Sequence, residues 1–322
     1  MKAIRIHTHG PSDVMKLEDM PTPQPGQGQL LVKLAAIGLN YVDTYQRSGL
    51  YKMELPFTPG SEGAGVVEAV GPGVSGVAKG DRVAYTGVLG AYAEYTLLPA
   101  DRAVKVPAGM DTKLGAAIML QGLTAHYLCK DSYPLKKGDA CLVHAGAGGV
   151  GLLLIQMCRM IGATIVATVS TEDKAKLAKE AGADHVILYT KEDFEEASKK
   201  FLGNRKFDVI YDSVAKTTFE KGLNLLRPRG LMVLYGQSSG PLGPFDLGQL
   251  AAKGSLFLTR PTLVSYIAAR KDLEDRASAV MNMVSSGKLK VRIGATFPLA
   301  QAKQSHDALE GRKTTGKVLL IP

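Results

Sequence analysis

The sequence has few cysteines and no spacing typical of a metal site. Cys129, Cys141 and Cys158 are its three cysteines, widely spaced within apolar or helical patterns. There is no CxxC pair and no Cys/His cluster, and tetrahedral zinc needs three or four such ligands brought together. We therefore expect inert core thiols in a reducing compartment and no structural zinc lobe.

Long apolar runs are also missing. The longest, such as VGLLLIQMC, stop well short of the roughly 20 residues that a membrane-spanning helix needs. The N-terminal MKAIRIHTHG alternates apolar and polar residues and has no apolar core of a signal peptide, so it predicts a first β-strand. We expect a soluble protein of the cytoplasm with no membrane partner.

Clustered positive charge is missing as well, although the formal net charge is +9. No run of five Lys or Arg residues occurs, and no ribonucleoprotein motif with interleaved aromatic residues is present. This scatter favours general surface charge and a phosphorylated small ligand over nucleic acid as the partner.

The sequence has two regions that differ in their pattern of predicted strands and helices. Up to about residue 125, short strand-like runs alternate with Gly and Pro, which predicts a β-rich, barrel-like or sandwich-like domain. From about residue 139, six β-rich runs alternate with amphipathic helices, which predicts a doubly wound parallel sheet that binds a nucleotide. RPRG, before the fifth of these runs, is predicted as a turn. A single long helix and a few shorter pieces are predicted after Pro261. These are too few for a third domain, so we expect them to complete the first. The predicted boundaries are 1–124, 125–261 and 262–322.

A glycine-rich loop follows the first strand of the second region. HAGAGGVG, residues 144–151, has the G-x-G-x-x-G spacing between a strand and a helix, where backbone N–H groups and the helix dipole bind a pyrophosphate. A structural glycine turn is the alternative. The lack of G-K-[ST] argues against phosphoryl transfer. The predicted cofactor contacts in the loop are Gly146, Ala147, Gly148, Gly149 and Val150.

The end of the next strand, TIVATVS, favours NADP over NAD. Ser170 and Thr171 carry hydroxyls that can donate to a 2′-phosphate, and Lys174 follows one helical turn later. In the alternative, Ser170 only caps the next helix and Glu172 is the acid that binds the ribose of NAD. Tyr189 and Arg205 are further candidates for the adenosine end, or else solvated surface residues.

Two later strands end in DSV and YGQSSG, at the carboxyl edge where open α/β sheets bind ligands. An arginine ends the sixth strand, either as a ligand contact or as the partner of a helix start. The cofactor contacts predicted here are Ser213, Val214, Tyr235, Gly236, Gln237 and Arg260.

Taken in order, GLNYVDTYQRSG, PGSEGAGVVEAVG, GDRVAY, HAGAGGVG and YGQSSG give the whole chain a resemblance to the quinone oxidoreductases related to zeta-crystallin, in the medium-chain dehydrogenase/reductase superfamily. The resemblance implies a GroES-like catalytic domain split around a Rossmann domain, an intervening cleft, NADPH as hydride donor, and a homodimer formed through the edges of the nucleotide-binding domains. Zinc-dependent relatives carry Cys and His where this sequence has Asn40 and Ser61. Amide and hydroxyl groups bind zinc poorly, so no catalytic metal is expected.

The same resemblance assigns residues to the nicotinamide and the substrate. Asn40, Asp43 and Tyr45 are expected at the nicotinamide end, and Asn40, Tyr45 and Tyr51 form the predicted catalytic set. Asp43 is equally well explained as a cap carboxylate, and Tyr51 as a tyrosine at the edge of the core. Thr124 matches the hydroxyl that meets the nicotinamide ribose, or else a hydroxyl at a helix start. No histidine is nominated, and Glu62 in PGSEGAGVV is expected to be a structural partner.

The function predicted from these features is reduction of quinones by NADPH without metal or flavin, because a quinone ring spreads the incoming negative charge. One alternative is reduction of activated C=C bonds in enals or enones, since the same hydride geometry serves any conjugated acceptor. Another is a role without catalysis, as a crystallin-like or RNA-binding protein.

Overall fold

The computed structural model describes every residue from Met1 to Pro322. The chain forms two compact units. Unit 1 contains residues 1–123 and 267–322, and unit 2 contains residues 124–266. Unit 1 is therefore made from two separate stretches of the chain, and unit 2 from the segment between them.

Strands and helices follow the apolar runs and the amphipathic stretches of the sequence. The strands are β1 (Lys2–Ile6), β2 (Met15–Asp19), β3 (Gln29–Leu39), β4 (Glu62–Val70), β5 (Arg82–Thr86), β6 (Tyr95–Pro99), β7 (Val104–Lys105), β8 (Ala140–Val143), β9 (Thr164–Val169), β10 (His185–Leu188), β11 (Phe207–Asp212), β12 (Leu226–Leu234), β13 (Phe257–Thr259), β14 (Ile293–Pro298) and β15 (Lys317–Ile321). The helices are α1 (Tyr41–Ser48), α2 (Thr112–Ile118), α3 (Gln121–Tyr127), α4 (Gly149–Ile161), α5 (Glu172–Glu180), α6 (Phe194–Leu202), α7 (Phe219–Leu225), α8 (Gly248–Ala252), α9 (Leu263–Tyr266), α10 (Arg270–Ser285) and α11 (Ala302–Glu310).

Unit 1 is built on a seven-stranded sheet in the order β14-β15-β3-β4-β5-β7, with β6 also paired to β3. All pairs are antiparallel except β14 with β15. Buried aliphatic residues and the fully buried rings of Tyr85 and Tyr92 fill its core. The β-rich character predicted for the first region is confirmed, and the late strand β15 lies inside this sheet.

Unit 2 is a six-stranded parallel sheet in the order β10-β9-β8-β11-β12-β13. Every residue of β8 is buried, as expected of a central parallel strand with both faces covered. Strand order reverses beside β8, since β9 and β10 extend to one side and the later strands to the other. This is the doubly wound arrangement predicted from the sequence, and ligands bind at its reversal point.

Three local expectations differ from the structure. The RPRG segment, predicted as a turn, lies within β12, where Arg229 takes a left-handed backbone with φ of 59°. The single long helix predicted after Pro261 is two helices, α9 and α10, separated by three residues. Helix α1 was not predicted as a helix.

The three cysteines are buried and free, as expected of core thiols. Burial raises the pKa of the Cys129 thiol to about 12 and also raises the pKa of Cys158. A thiol that stays protonated is a poor nucleophile and metal ligand. None of the helices has both the length and the apolar character needed to cross a lipid bilayer.

Candidate functional site

The cofactor residues predicted after the strands of unit 2 lie at one edge of its sheet. Parallel strands place all their carboxyl ends at the same edge, which is where open α/β sheets bind ligands. The predicted positions follow β8 at 146–150, β9 at 170–171, β10 at 189, β11 at 213–214, β12 at 235–237 and β13 at 260. The fold therefore brings these predicted contacts to a common edge.

The glycine-rich loop leaves no room for a side chain at Gly146 and Gly151. A Cβ atom on Gly146 would lie 2.8 Å from the Cβ of Ala167, and one on Gly151 would lie 2.4 Å from the carbonyl oxygen of Ala145. Gly148 caps α4, whose first backbone N–H groups have no partner within the helix. The loop can therefore bring backbone and helix dipole against a pyrophosphate, as its spacing predicted.

The residue that caps α5, just after β9, is not the one named in the alternative drawn from the sequence. Thr171, and not Ser170, is the N-cap of α5, and its side-chain oxygen accepts a hydrogen bond from the backbone N–H of Lys174. Glu172 is exposed and pairs with Lys191 at 2.7 Å. The carboxylate that would bind the ribose of NAD in that alternative is thus already partnered by a cation.

A cavity of about 500 Å³ opens beside Tyr189 at the same edge of unit 2. Its wall combines hydroxyl, carboxylate and ammonium groups with the rings of Tyr189 and Phe194. The lining residues are Tyr189, Thr190, Lys191, Glu192, Asp193, Phe194, Thr217, Thr218 and Lys221. The position of Tyr189 fits its predicted place at the adenosine end.

Arg205 lies elsewhere. Its guanidinium donates to the carbonyl of Gly138, which precedes β8, and lies 3.6 Å from Asp208 near the start of β11. Both partners are at the amino edge of the sheet, opposite to the ligand edge. The sequence-based suggestion that Arg205 joins the adenosine end is therefore wrong.

The ends of β11 and β12 are tied together by backbone hydrogen bonds. Ser213 accepts from the N–H of Ser238, and Val214 accepts from the N–H of Ser239. A Cβ on Gly236 would lie 2.7 Å from the carbonyl oxygen of Ser213, so only glycine fits here. The two predicted segments form one rigid wall.

Thr124 and Arg260 have different settings. Thr124 is buried in the middle of α3, so its hydroxyl does not mark a helix start. Arg260 follows β13 and is exposed. Their contacts with a nicotinamide or ribose stay predictions.

In unit 1, helix α1 and the residues just after it form a cluster of tyrosine rings. The Tyr45 and Tyr51 ring centroids are 5.4 Å apart in an edge-on arrangement, and Tyr41 lies 6.1 Å from Tyr45. The N–H of Tyr51 also donates to the carbonyl of Tyr45. The two predicted catalytic tyrosines therefore lie together, with Tyr51 partly exposed.

Asn40 belongs to a buried ion-pair network. Its amide donates to Gly38 and to Glu62, and its side-chain oxygen accepts from Lys317 and Gln121. Lys317 pairs with Glu62 at 2.5 Å, and both side chains are almost fully buried. The amide is bonded on both sides by protein groups, which makes Asn40 an anchor of this network; its predicted direct catalytic contact stays a prediction.

Asp43 is fully buried at the start of α1. Its Oδ2 accepts from the N–H of Asn40 at 2.9 Å and from the hydroxyl of Tyr92 at 3.1 Å, while Oδ1 is buried without a hydrogen bond. Burial raises the pKa of Asp43 to about 7, and the Asn40 N–H and nearby Lys317 act against this rise. Asp43 is thus both a cap carboxylate and a titratable group.

The donor set does not fit zinc. Asn40 and Ser61 offer an amide and a hydroxyl, and the Asn40 amide is already bonded to Glu62 and Lys317. The structure brings together no group of three or more His, Cys, Asp or Glu side chains that could hold a metal ion.

Comparison with known proteins fits this geometry. The alcohol dehydrogenase GroES-like domain matches residues 26–108, and the zinc-binding dehydrogenase family matches residues 149–283, a range that excludes Asn40 and Ser61. A quinone oxidoreductase of Pseudomonas aeruginosa is 42% identical over 323 residues, covering 100% of this chain and 99% of that protein. The chain belongs to the zeta-crystallin-like quinone oxidoreductases. This family is part of the medium-chain dehydrogenase/reductase superfamily.

Two other similarities extend over the full chain. A 2-haloacrylate reductase of Burkholderia sp is 40% identical, covering 98% of each protein. The crystal structure of Escherichia coli quinone oxidoreductase complexed with NADPH is 41% identical, covers 100% of both chains and has a TM-score of 0.98. The family resemblance drawn from the sequence motifs is confirmed.

Sequence reasoning missed three buried polar residues of unit 1. Lys317 is the first residue of the apolar strand β15. Its buried ion pair with Glu62 is visible only in the structure. Tyr92 and His306 are distant in sequence from α1, yet a hydrogen-bond chain joins them to Asp43. Nothing in their local sequence shows this link.

Proposed function

We propose that the protein is an NADPH:quinone oxidoreductase that uses neither metal nor flavin. The observation that carries the proposal is the glycine cradle at the start of α4, in a chain of this family. Unit 1 corresponds to the GroES-like catalytic domain, predicted as 1–124 and 262–322, and unit 2 to the NADPH-binding domain, predicted as 125–261.

The residues at the edge of unit 2 fit a dinucleotide phosphate. The N–H groups of residues 146–150 would hold the pyrophosphate, and Ser170, Thr171 and Lys174 the 2′-phosphate, with Tyr189 at the adenine end. Ser213, Val214, Tyr235, Gly236, Gln237 and Arg260 would line the nicotinamide and ribose. When bound, NADPH supplies the hydride.

The proposed role of the unit 1 residues is to orient the substrate and not to act as a Lewis acid. We assign Tyr45 and Tyr51 to the quinone, with one ring stacked on its face and the other at its edge, because the two rings stand at 65° and aromatic contacts orient a planar acceptor. Asn40 fixes the start of α1 from its buried network, and Asp43 and Thr124 complete the predicted nicotinamide end. A quinone delocalises the incoming charge over its ring, so hydrogen-bond donors suffice.

Reduction of an activated C=C bond is the second candidate. It is favoured by one observation, the full-length similarity to a 2-haloacrylate reductase. The same placement of hydride and acceptor serves a conjugated alkene, since both acceptors receive a hydride at one end of a π-system.

One assay separates the two functions. The purified protein is mixed with NADPH and then with 1,4-benzoquinone or a naphthoquinone, and in parallel with a 2-alkenal or 2-chloroacrylate, while the absorbance of NADPH is followed. We expect a higher kcat/KM with the quinones. A turnover confined to the alkenes would establish the second function, and no turnover with either class would overturn both.

We propose a homodimer formed through β13. This strand is the last of the unit 2 sheet and pairs only with β12, so one edge offers free backbone groups. Phe257 on β13 is 59% exposed, so an apolar ring lies at this free edge. Pairing of β13 between two copies would cover both features.

The cytoplasm is the proposed location. The three cysteines are free thiols, and such thiols persist in reducing compartments. Fractionation with a compartment marker tests this: we expect the protein with the cytoplasmic marker, and its recovery in an oxidising compartment would contradict the proposal.

A further inference from the structure

A chain of buried side chains in unit 1 ends on Asp43. Arg47 Nη1 lies 3.0 Å from His306 Nδ1, and His306 Nε2 lies 2.9 Å from Tyr92 Oη. Tyr92 Oη in turn lies 3.1 Å from Asp43 Oδ2. All four side chains belong to unit 1 and are at most 3% exposed, and only Asp43 is among the predicted cofactor contacts.

The hydrogen positions along this chain follow from the chemistry of its first member. A guanidinium only donates, so His306 Nδ1 must accept from Arg47. The imidazole is therefore neutral with its proton on Nε2, in agreement with a His306 pKa that burial and Arg47 lower to about 3. Nε2–H then donates to Tyr92, and the hydroxyl of Tyr92 is left to donate to Asp43. Each of these hydrogen bonds therefore donates in the direction of the Asp43 carboxyl group.

Asp43 is the one buried carboxyl group of this region without a counter-ion of its own. Arg47 pairs with Glu310 at 2.8 Å, and Lys317 pairs with Glu62. The two donors on Oδ2 favour the ionised form, whereas burial and the charge of Glu62 favour the protonated form. The titratable and charged groups around Asp43 are Glu62, Lys317, Tyr85 and Tyr92, with His306 and Arg47 next along the chain.

Asp43 also holds the start of α1. Its Oδ2 accepts from the N–H of Asn40, and the N–H of Asp43 donates back to the carbonyl of Asn40. Tyr45 follows on the next half-turn of the same helix. The protonation state of Asp43 therefore affects the hydrogen bonds at the start of α1, the helix that carries the proposed substrate-facing ring of Tyr45.

We propose that Tyr92 and His306 are positioning residues for the candidate site, which hold the carboxyl group of Asp43 so that its protonation state sets how firmly α1 and Tyr45 are held. The catalytic consequence rests on the proposed function. Hydrogen bonds to an ionised carboxylate are stronger than those to a neutral acid, so α1 is held more firmly once Asp43 has lost its proton.

The sign of the effect on stability is opposite to that on binding. The pKa of Asp43 is raised on folding from 3.8 to about 7, so the folded protein holds this proton where the unfolded chain has lost it. The contribution of Asp43 to stability is fully present below about pH 4 and is lost as the pH rises through about 7. The KM for the quinone should fall over the upper part of this window, because the ionised form holds Tyr45 best.

Two readouts and five variants test the proposal. The melting temperature and the KM for a naphthoquinone are measured from about pH 5 to 9, a range that brackets the Asp43 pKa of about 7. Asp43→Asn removes the titration, Tyr92→Phe removes one donor to the ionised form, and His306→Leu breaks the chain. His306→Gln keeps an acceptor for Arg47 and a donor for Tyr92. Tyr85→Phe is the matched control, an equally buried tyrosine with no hydrogen bond to Asp43.

We expect both wild-type curves to inflect near neutral pH. Asp43→Asn should abolish the inflection, Tyr92→Phe and His306→Leu should move it to higher pH, and His306→Gln and Tyr85→Phe should leave it in place. A wild-type inflection retained in Asp43→Asn overturns the proposal. An inflection that Asp43→Asn removes from the melting curve but not from KM overturns the positioning role.

Failure of the proposed function can be told apart from failure of the positioning role. If no quinone is reduced at any pH, the KM readout is replaced by the dissociation constant of a naphthoquinone measured by fluorescence quenching. An inflection in that constant that disappears in Asp43→Asn supports the positioning role. Binding that is independent of pH, or an inflection that remains in Asp43→Asn, overturns it.

Discussion

The ion pair between Lys317 and Glu62 shows how a single residue can stabilise unit 1. Both groups are removed from water, and Asn40 and the N–H of Leu120 complete the hydrogen bonding of the carboxylate. Such a pair adds little over a well-packed apolar substitute, but loss of one partner leaves an uncompensated buried charge.

Lys317→Met should destabilise the protein by about 3–5 kcal/mol, because Glu62 then keeps its charge without a partner. The measurement is urea unfolding followed by far-UV circular dichroism. Lys313→Met serves as the control, since Lys313 is exposed. The double variant Lys317→Met with Glu62→Gln should recover part of the loss, and equal stabilities of the single and double variants would contradict the argument.

The sequence predicted half of this pair. Glu62 was expected to be a structural partner and not a general acid, and it forms this buried ion pair. Lys317 was missed, since the two residues are 255 positions apart and a lysine at a strand start is ordinarily solvated. Long-range pairing of side chains leaves no local pattern in a single sequence.

At the scale of elements, the glycine-rich segment that opens α4 requires glycine at position 151. Gly151→Ala should weaken NADPH binding at least tenfold, about 1.4 kcal/mol, because the new Cβ would lie 2.4 Å from the carbonyl oxygen of Ala145 and the loop must move. Fluorescence titration with NADPH measures the effect.

Gly243→Ala is the control for that substitution. Its Cβ would meet no atom within 4 Å, and its backbone is not left-handed. Equal affinities of the two variants for NADPH would show that the loop does not hold the cofactor.

The proposed preference for NADPH over NADH depends on residues at the first turn of α5. Thr171→Asp keeps a capping oxygen and adds a negative charge where the 2′-phosphate is expected, and Lys174→Ala removes a positive one. Each should lower the ratio of kcat/KM for NADPH to that for NADH about tenfold.

Lys176→Ala controls for a change in charge on the same helix, since Lys176 is exposed. A ratio that moves as much in Lys176→Ala as in Lys174→Ala would show that only general charge matters. An unchanged ratio in Thr171→Asp would exclude α5 as the phosphate site.

Elements were predictable where one periodicity dominates. The six strands of unit 2 were predicted because each is a short apolar run bounded by turn residues or an amphipathic helix. YVDTYQRS gave no such signal for α1, whose buried residues are Asp43, Thr44 and Arg47, so its buried face is polar. RPRG read as a turn because Pro and Gly mark turns, yet β12 accommodates it through the left-handed backbone of Arg229.

At the scale of the whole molecule, the proposed homodimer depends on β13. Phe257→Asp places a charge on the proposed strand-to-strand contact and should convert the dimer into monomers, as measured by analytical ultracentrifugation. Met160→Asp is the control, because it puts the same charge on an exposed apolar residue of α4. A dimer that survives Phe257→Asp, or a wild-type monomer, would contradict the proposal.

The pairing of β15 with β3 has a consequence for biosynthesis. During translation, residues 124–266 are all available while β14 and β15 have yet to be made. Unit 2 can therefore fold on the ribosome, whereas the first 123 residues must wait with β3 missing a neighbour and Glu62 missing its cation. The nascent chain passes through a period in which a nucleotide-binding unit is complete and its catalytic counterpart is not, and chaperones would meet the protein in that state.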